Sequence, residues 1–314
     1  MISSELDAAG VRDEALRQAY RECRTLNARH GKTFFLATRL LSPSQRPAVH
    51  ALYGFARRAD DVLDAFDPRS VNQRADELQA LSTALFTRLV EKKHSGDDPV
   101  LDAVVDTARN YRLDWQLFDD FLASMRMDLT VTDYPDRAAL DRYMYGSAEV
   151  IGLQMLPVLG TVVPREEAAP YAADLGKAFQ LTNFLRDIDE DLTRGRVYLP
   201  ADELAGHGVD REMLTWCQQN RRTEPRLRAA LAEQHAQTRR VYRRAEKGIA
   251  MLQPRSRPCV NAAMTLYSEI LDRIEAMDFA VFARRATVST SRRLQVASIG
   301  LARALRARAR RQEV

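Results

Sequence analysis

The segment QLTNFLRDIDEDLTRGRVYLP, residues 180–200, decides the fold because apolar and acidic residues recur in it at different positions of one helical repeat. Apolar residues follow helical spacing from residue 177 to residue 192, which predicts an amphipathic helix over residues 177–192. Asn183, Asp187 and Asp191 follow one another at four-residue spacing, and on a straight helix they fall within an arc of about 80°. The predicted helix therefore has an apolar face and a neighbouring face with three oxygen-bearing side chains.

A second segment, ALYGFARRADDVLD at residues 51–64, has a similar arrangement earlier in the chain. Its pattern predicts a helix over residues 45–66. Four polar side chains share an arc of about 60° on that helix: Tyr53, Arg57, Asp60 and Asp64. An acidic stripe that also holds a tyrosine differs from an ordinary solvated face, where charges of both signs tend to alternate.

The residue types of the two clusters predict a site for a divalent cation and a diphosphate. Carboxylate and amide oxygens suit Mg²⁺, with Mn²⁺ as a substitute, and Mg²⁺ usually shares its shell with water and substrate phosphates. Each cluster also carries an arginine, whose planar fork binds phosphate oxygens. A basic loop at residues 193–200 follows the second cluster directly. The alternatives are a solvated acidic face for each cluster and a hydrogen-bonded core position for Asn183.

The ionisation of a prenyl diphosphate would use both clusters. Charge develops on the leaving diphosphate, and divalent cations with arginine or lysine donors stabilise that charge. The allylic cation that remains must be kept from water inside an apolar cavity. A helical bundle with inward carboxylates near one end and apolar walls below them meets both demands.

Helical periodicity dominates the rest of the chain, and we find no convincing alternating strand pattern. Breaks that contain proline or glycine separate the periodic segments: 42–47, 67–70, 94–99, 134–136, 163–165, 205–209 and 253–258. Roughly nine to twelve helices are expected between them, and short loops between long helices favour a bundle. We therefore predict one all-α domain over residues 1–314, with a core at about 20–290 and a basic tail at 292–314.

Composition argues against several other classes of protein. The three cysteines are isolated and the five histidines form no metal-ligand spacing, so we expect reduced thiols, a cytoplasmic location and no zinc site. The N-terminus lacks the apolar core of a signal peptide, and no stretch is apolar enough to span a membrane. The segment after Arg292 is rich in arginine. It predicts either a face that contacts a membrane surface or a solvated terminal helix, and we expect no nucleic-acid partner.

These motifs resemble the phytoene synthase/squalene synthase family of head-to-head prenyl transferases over about residues 20–290. HGKTF at residues 30–34 resembles the family's HSKSF segment. The DxxxD from Asp60 to Asp64 resembles its first aspartate motif. Residues 180–200 are similar to its second motif, and this most specific match favours the bacterial phytoene synthase branch.

The resemblance implies an isoprenoid synthase-type helical bundle with a central apolar cavity, and it implies Mg²⁺. It also implies that two prenyl diphosphates are joined through a cyclopropyl diphosphate. Carried over by position, the ligands of metal and diphosphate are Asp60, Asp64, Asn183, Asp187 and Asp191. The residues expected to bind or orient substrate are Lys32, Thr33, Phe34, Arg57, Gly152, Gln180, Arg186 and Arg196. Tyr53, Tyr143 and Tyr267 are expected beside the cations, since aromatic faces stabilise positive charge.

The expected reaction is condensation of two geranylgeranyl diphosphates to phytoene in carotenoid biosynthesis, without NADPH and with peripheral membrane contact. The alternatives are a squalene, dehydrosqualene or presqualene diphosphate synthase that uses farnesyl diphosphate, and a non-catalytic relative that acts in assembly. Glu149 stands where the family has glycine, which makes the local geometry there an open question. Thr38 and His50 are the candidates for the wall that sets substrate length. The sequence leaves the oligomeric state open.

Overall fold

The computed structural model describes residues 2–63, 69–93 and 96–309, and most of these residues are helical. Sixteen α-helices follow one another in these ranges, together with a π-helix at Tyr145–Glu149 and a 3₁₀-helix at Lys247–Met251. Extended backbone pairs in the described ranges only at two isolated bridges. The all-α prediction is confirmed.

The α-helices alternate between long elements and short ones. The first eight are α1 Ile2–Ala8, α2 Glu14–His30, α3 Lys32–Thr38, α4 Arg46–Val62, α5 Val71–Leu89, α6 Pro99–Tyr111, α7 Trp115–Met127 and α8 Arg137–Met144. The others are α9 Val150–Leu159, α10 Arg165–Arg186, α11 Ile188–Thr193, α12 Ala201–Gly206, α13 Arg211–Gln219, α14 Pro225–Glu246, α15 Arg257–Ala276 and α16 Thr290–Ala309. Their number exceeds the predicted nine to twelve, because short helices such as α1, α3 and α12 carry too few residues for a periodic pattern.

Aspartate and serine side chains start several of these helices. Asp13, Asp98 and Asp136 each accept a hydrogen bond from the backbone N–H three residues later. Ser70 and Gln73 form a reciprocal capping box at the start of α5. These caps satisfy N–H groups that have no partner within the first turn of a helix, so they set where the long helices begin.

Helix α10 packs against α9, α14 and α15 at the centre of the second half of the fold, and α4 packs against α2 and α6 in the first half. The approach of α10 to its neighbours is very close. A Cβ atom on Gly152 would lie 2.1 Å from the carbonyl oxygen of Ala172, and one on Gly176 would lie 2.2 Å from that of Ala148. Glycine at these two positions lets the backbones touch.

Two predicted helices differ from the structure. Helix α4 ends at Val62, and residues 64–66 of its predicted range lie outside the described residues. The prediction of one continuous helix over residues 177–192 was wrong, because Asp187 adopts φ −105° and ψ 13° and separates α10 from α11. Ile188 remains buried beyond this break, so the apolar periodicity gives no sign of it.

The arginine-rich C-terminal segment forms α16, which packs on α15 and α3. The Arg308 side chain donates hydrogen bonds to the backbone carbonyls of Leu40 at 2.7 Å and Leu41 at 2.8 Å. A Cβ atom on Gly300 would lie 2.6 Å from the side chain of Leu40. The segment is therefore a packed helix as far as Ala309. Among the described residues, no helix combines the length and apolarity needed to cross a bilayer.

Candidate active site

A polar cavity of about 490 Å³ lies between α4, α7, the π-helix and α10. Charged and polar groups from several elements line it: Arg57, Asp60, Asp128, Tyr143, Ser147, Gln180, Asn183, Arg186, Asp187, Arg194, Arg196 and Tyr198. Side chains from both sequence clusters thus face one enclosed space. The structure brings together most of the predicted polar site residues.

Asp60 reaches this cavity from α4. Its side chain is accessible to solvent within the cavity, while protein atoms surround it on the other sides. This desolvation raises the pKa of Asp60 to about 7, and the charges of Asp128 and Asp61 add to the rise while Arg57 opposes it. The guanidinium of Arg57 donates a hydrogen bond to Asp61. Asp60 is therefore a carboxyl group whose charge the cavity disfavours.

Asp187 lines the cavity directly, and Asp191 lies one turn further along, in α11. Burial raises the pKa of Asp191 to about 7, the Asp187 carboxylate adds to the rise, and Arg194 opposes it. The ionised form of a carboxyl group that is desolvated and close to another carboxylate is stabilised when a cation binds between them. The second cluster therefore has the electrostatics of a cation site.

Two arginines hold the Asp187 carboxylate. The Arg186 side chain donates from Nε at 2.8 Å and from Nη2 at 2.5 Å, one bond to each oxygen. The Arg285 side chain approaches Oδ1 with Nε at 2.8 Å and Nη2 at 2.6 Å. Sequence reasoning missed Arg285, because it lies 98 residues from Asp187 and no spacing links it to either cluster.

Asp128 is a second functional candidate that sequence reasoning missed. Its buried carboxylate accepts hydrogen bonds from the hydroxyl of Tyr143 at 2.8 Å and from that of Tyr198 at 3.3 Å. Burial raises the pKa of Asp128, whereas Arg196 and the two tyrosine bonds oppose the rise. The ring of Phe184 stacks on Tyr198 with centroids 4.1 Å apart. A lone aspartate in an apolar stretch gives no spacing signal, so only the fold reveals it.

An apolar cavity adjoins the polar one, and Ile151 lines both. Side chains and glycines of α3, α9, α10 and α15 form its wall, among them Phe34, Gly152 and Phe179. The wall is almost entirely hydrocarbon, as the binding of a prenyl tail requires. The predicted central apolar cavity is present.

Thr38 and His50, the two candidates for the wall that sets substrate length, differ in their position relative to the apolar cavity. Thr38 lines the apolar cavity, and its hydroxyl donates a hydrogen bond to the backbone carbonyl of Phe34 at 2.8 Å. His50 lies behind α3, where its Nδ1 is 2.9 Å from the amide nitrogen of Asn27 and its ring stacks on Phe35. The expectation for His50 was wrong, because its ring is held by Asn27 and Phe35 and does not line the apolar cavity.

A side pocket of about 210 Å³ lies next to the polar cavity, and Arg186 lines both. Its polar lining residues are Thr33, Arg186, Tyr267, Thr287, Arg285 and Arg293. Three arginines and several hydroxyl groups in one small pocket favour an anionic ligand. Thr33, Arg186 and Tyr267 are the predicted site residues that line this pocket.

The three predicted cation-facing tyrosines do not share one wall. Tyr143 lines the polar cavity and Tyr267 lines the side pocket. Tyr53 stacks on Phe34 at 5.5 Å, as Tyr267 stacks on Phe179 at 4.4 Å. Phe34 and Phe179 line the apolar cavity, whereas Tyr53 and Tyr267 do not. The position of the three tyrosines beside the cations stays a prediction.

Three further residues of interest are not among the lining residues of the cavities, one of them because the structure does not describe it. Asp64 falls outside the described residues. Lys32 is exposed at the first position of α3 and lines none of the three cavities. Glu149, the departure from the family pattern, lies 3.5 Å from the ammonium group of Lys177. That ion pair holds the Glu149 side chain against α10. The backbone at the position where the family has glycine therefore accommodates a glutamate.

The polar groups of the cavity fit a divalent cation that is shared with substrate. The Oδ1 atom of Asn183 is buried and accepts no hydrogen bond from any described residue, and the Ser147 hydroxyl is likewise without a partner. In the described part of the chain, no three Asp, Glu, His or Cys side chains form a complete metal site. Mg²⁺ commonly takes one or two carboxylates and fills its shell with water and phosphate oxygens. The donor set therefore fits an ion bridged by diphosphate.

Comparison with known proteins identifies a family with this sequence pattern. A sequence model described as squalene/phytoene synthase matches residues 27–292. The chain is 37% identical over 297 residues to a chloroplastic phytoene synthase of an Oncidium hybrid cultivar, covering 92% of this chain and 69% of that protein. It is 36% identical over 303 residues to a 15-cis-phytoene synthase of Synechococcus elongatus, covering 92% and 94%.

Solved structures agree on the fold. A dehydrosqualene synthase superposes with a TM-score of 0.81 at 26% identity, covering 91% of this chain and 96% of that one. The squalene synthase HpnC from Alicyclobacillus acidocaldarius shares the fold, with a TM-score of 0.76 at 23% identity and coverage of 87% and 98%. The helical bundle and its charged cavity define an isoprenoid synthase-type prenyltransferase. The chain belongs to the squalene/phytoene synthase family, as its motifs predict.

Replacing Asp60 with asparagine should stabilise the protein at pH 8 in the absence of divalent cations. The pKa of Asp60 is about 7 in the folded protein and about 4 in an unfolded chain. The folded state therefore binds a proton more tightly, and this group removes stability as pH rises from about 4 to about 7. Asparagine stays neutral and avoids that loss.

Thermal unfolding in EDTA measures this effect. We expect the melting temperature of Asp60→Asn to exceed that of the wild type at pH 8 and to approach it at pH 4.5. Asp61→Asn, on the same helix, controls for removal of one acidic group. A difference that is equal at both pH values would contradict the assigned pKa.

Proposed function

We propose that the protein is a Mg²⁺-dependent phytoene synthase that joins two geranylgeranyl diphosphates head to head through a cyclopropyl diphosphate, in carotenoid biosynthesis. Relatives named phytoene synthase, 36 to 37% identical over 92% of the chain, support this proposal. One observation carries the chemistry: a polar cavity meets an apolar cavity at Ile151 and a basic side pocket at Arg186.

The polar cavity binds the diphosphate of the substrate that ionises. Asp60, Asn183, Asp187 and Asp191 are the described residues that would hold Mg²⁺, and the ion when bound would supply positive charge to the leaving diphosphate. Arg57, Arg186 and Arg196 line the same cavity and supply fixed donors to phosphate oxygens. Because the donors are positioned before the reaction, little reorganisation is needed when the C1–O bond breaks.

The apolar cavity protects the allylic cation. Its hydrocarbon wall holds the prenyl tails and excludes water, which would otherwise capture the cation. In the polar cavity, the hydroxyl of Tyr143 donates a hydrogen bond to Asp128. The hydroxyl is therefore tied to that carboxylate, while the aromatic ring remains to stabilise positive charge.

The side pocket is the position for the second diphosphate. Two diphosphate substrates require two anion-binding regions whose reactive carbons can meet. Thr33, Tyr267 and Arg293 line the pocket, and Arg186 stands between it and the polar cavity. This shared wall keeps the two anionic groups close while arginine separates their charges.

A second candidate is condensation of two farnesyl diphosphates. The observation in its favour is the TM-score of 0.81 to a dehydrosqualene synthase. Against it, identity to that protein is 26%, compared with 37% to a phytoene synthase. The small side chain of Thr38 at the apolar wall also favours a longer tail.

Incubation with C20 and C15 diphosphates, each with and without NADPH, separates the two candidates. With Mg²⁺ we expect phytoene from geranylgeranyl diphosphate, with no need for NADPH. A C30 hydrocarbon from farnesyl diphosphate as the main product would establish the second candidate instead.

In the same assay Asp187→Ala should lower turnover by at least about 100-fold, the scale for loss of one transition-state electrostatic group. Asp189→Ala is the matched control, since Asp189 pairs with Arg221 at 2.6 Å and does not line the cavity. Circular dichroism should show equal helicity for both variants. Wild-type turnover in Asp187→Ala would refute the role of the second cluster.

Replacing Thr38 with phenylalanine should shift the product from C40 towards C30. The larger ring would fill part of the apolar cavity that Thr38 lines and shorten the space for the tail. Competition between C15 and C20 diphosphates, read out by product analysis, measures the shift. Thr83→Phe, on exposed α5 surface, controls for the added ring, and an unchanged product ratio in Thr38→Phe would exclude this wall.

We also propose peripheral contact of this cytoplasmic protein with a membrane through α16, since a C40 hydrocarbon is insoluble in water. Leu294, Leu301 and Leu305 fall within an arc of about 40° on the helix, and each is about half exposed. Arg303 and Arg306 are exposed on the same helix. An exposed apolar stripe, on a helix that also exposes arginines further round its circumference, fits an anionic lipid surface.

The double substitution Leu301→Asp with Leu305→Asp should weaken binding to vesicles that contain anionic lipid by about tenfold or more, because two apolar anchors are lost and two like charges are added. Cosedimentation measures the binding. Val71→Asp is the control, since Val71 is an exposed apolar residue on α5. Equal vesicle binding of the double variant and the wild type would exclude α16 as the docking face.

A further inference from the structure

Arginine side chains surround the carboxylate of Asp187, most densely at Oδ1. Four guanidinium nitrogen atoms, two from Arg186 and two from Arg285, lie at 2.5 to 2.8 Å from its oxygens. A carboxylate offers about four lone-pair positions. Three of the four nitrogens lie at Oδ1 and one at Oδ2. A metal ion that binds Oδ1 must therefore take a position that an arginine N–H now has.

The two arginines differ in their freedom to leave. Arg186 is the last residue of α10, lines both the polar cavity and the side pocket, and exposes 19% of its side chain. Arg285 lies in the irregular segment between α15 and α16 and exposes 54% of its side chain. Moving Arg285 disturbs less packing than moving Arg186, so Arg285 is the group that a metal ion displaces.

The side pocket is a place where Arg285 could bind a diphosphate in place of the Asp187 carboxylate. Arg285 lines this pocket together with Thr33, Tyr267 and Arg293. A diphosphate there offers oxygens that pair with a guanidinium in the same forked manner as a carboxylate. One side chain can therefore exchange the Asp187 carboxylate for a diphosphate over a short path.

We infer that Arg285 stands in for the metal ion at Asp187 and couples metal binding to diphosphate binding. This inference rests on the proposed function of the cavity. Metal alone at Oδ1 must break the Arg285–Asp187 contact without replacement, whereas diphosphate in the side pocket accepts Arg285 and frees Oδ1. By linkage, each ligand then favours the other to the same degree. Arg285 is a positioning residue that makes the metal site complete only when substrate is present.

Two binding measurements on the purified protein test this, each with one ligand so that metal and diphosphate do not chelate one another. The first is Mn²⁺ binding followed by electron paramagnetic resonance, without diphosphate. The second is binding of inorganic pyrophosphate in EDTA by calorimetry. Arg285→Gln should bind Mn²⁺ about tenfold more tightly than the wild type and pyrophosphate about tenfold more weakly, within the usual range of such couplings.

Arg284→Gln is the matched control, since Arg284 is the exposed neighbour of Arg285 and does not line the side pocket. It removes the same charge from the same segment and should change Mn²⁺ affinity by less than about twofold. Arg285→Lys keeps the charge but lacks the fork that grips Asp187 at two nitrogen atoms. It should also bind Mn²⁺ more tightly than the wild type does.

The possible outcomes distinguish failure of the Arg285 exchange from failure of the proposed function. If wild type binds both probes but Arg285→Gln leaves Mn²⁺ affinity unchanged, or Arg284→Gln tightens it equally, the inference is overturned and the metal–diphosphate site stands. If wild type binds neither Mn²⁺ nor pyrophosphate, the proposed function fails and the inference with it. Opposite changes in the two affinities in Arg285→Gln alone support the exchange.

Discussion

Charge balance in a partly desolvated cavity is the constraint on which this site depends. Carboxylates from two distant segments face one polar space, where burial raises the pKa values of Asp60 and Asp191 to about 7. Arginines offset part of this cost, most directly at Asp187. The arrangement is unfavourable for the protein alone and favourable with cations and diphosphate present. Such locally unfavourable charges are typical of a binding site. Interactions in the rest of the fold must supply the stability that the site lacks.

That stabilisation comes from close helix packing. Gly152 and Gly176 let α9, the π-helix and α10 approach until backbones touch. The π-helix at Tyr145–Glu149 lies at this contact, and single π-helical turns within helices are frequent at functional sites. It places Ser147 in the polar cavity, while Ile151 follows in α9 at the boundary with the apolar one. The helix packing that stabilises the fold therefore also positions the boundary between the polar cavity and the apolar cavity.

Sequence patterns predicted the all-α class, the two clusters and their convergence, because helical periodicity and four-residue spacing are local properties. They did not predict the break at Asp187, since buried apolar residues continue on both sides of it. They also missed Asp128 and Arg285, which reach the site through long-range contacts. The position of Asp64 stays a prediction, as do the roles of the site residues.

The sequence by itself determined which side chains are available for chemistry: two acidic clusters with arginines, on helices with apolar faces. The tertiary structure decided which of them share a space. It stacked Tyr53 and Tyr267 on phenylalanine rings, paired His50 with Asn27 and brought Arg285 to Asp187. The physical reason is that periodicity specifies the face of a helix on which a residue lies, whereas the neighbour of that face depends on how all the helices pack.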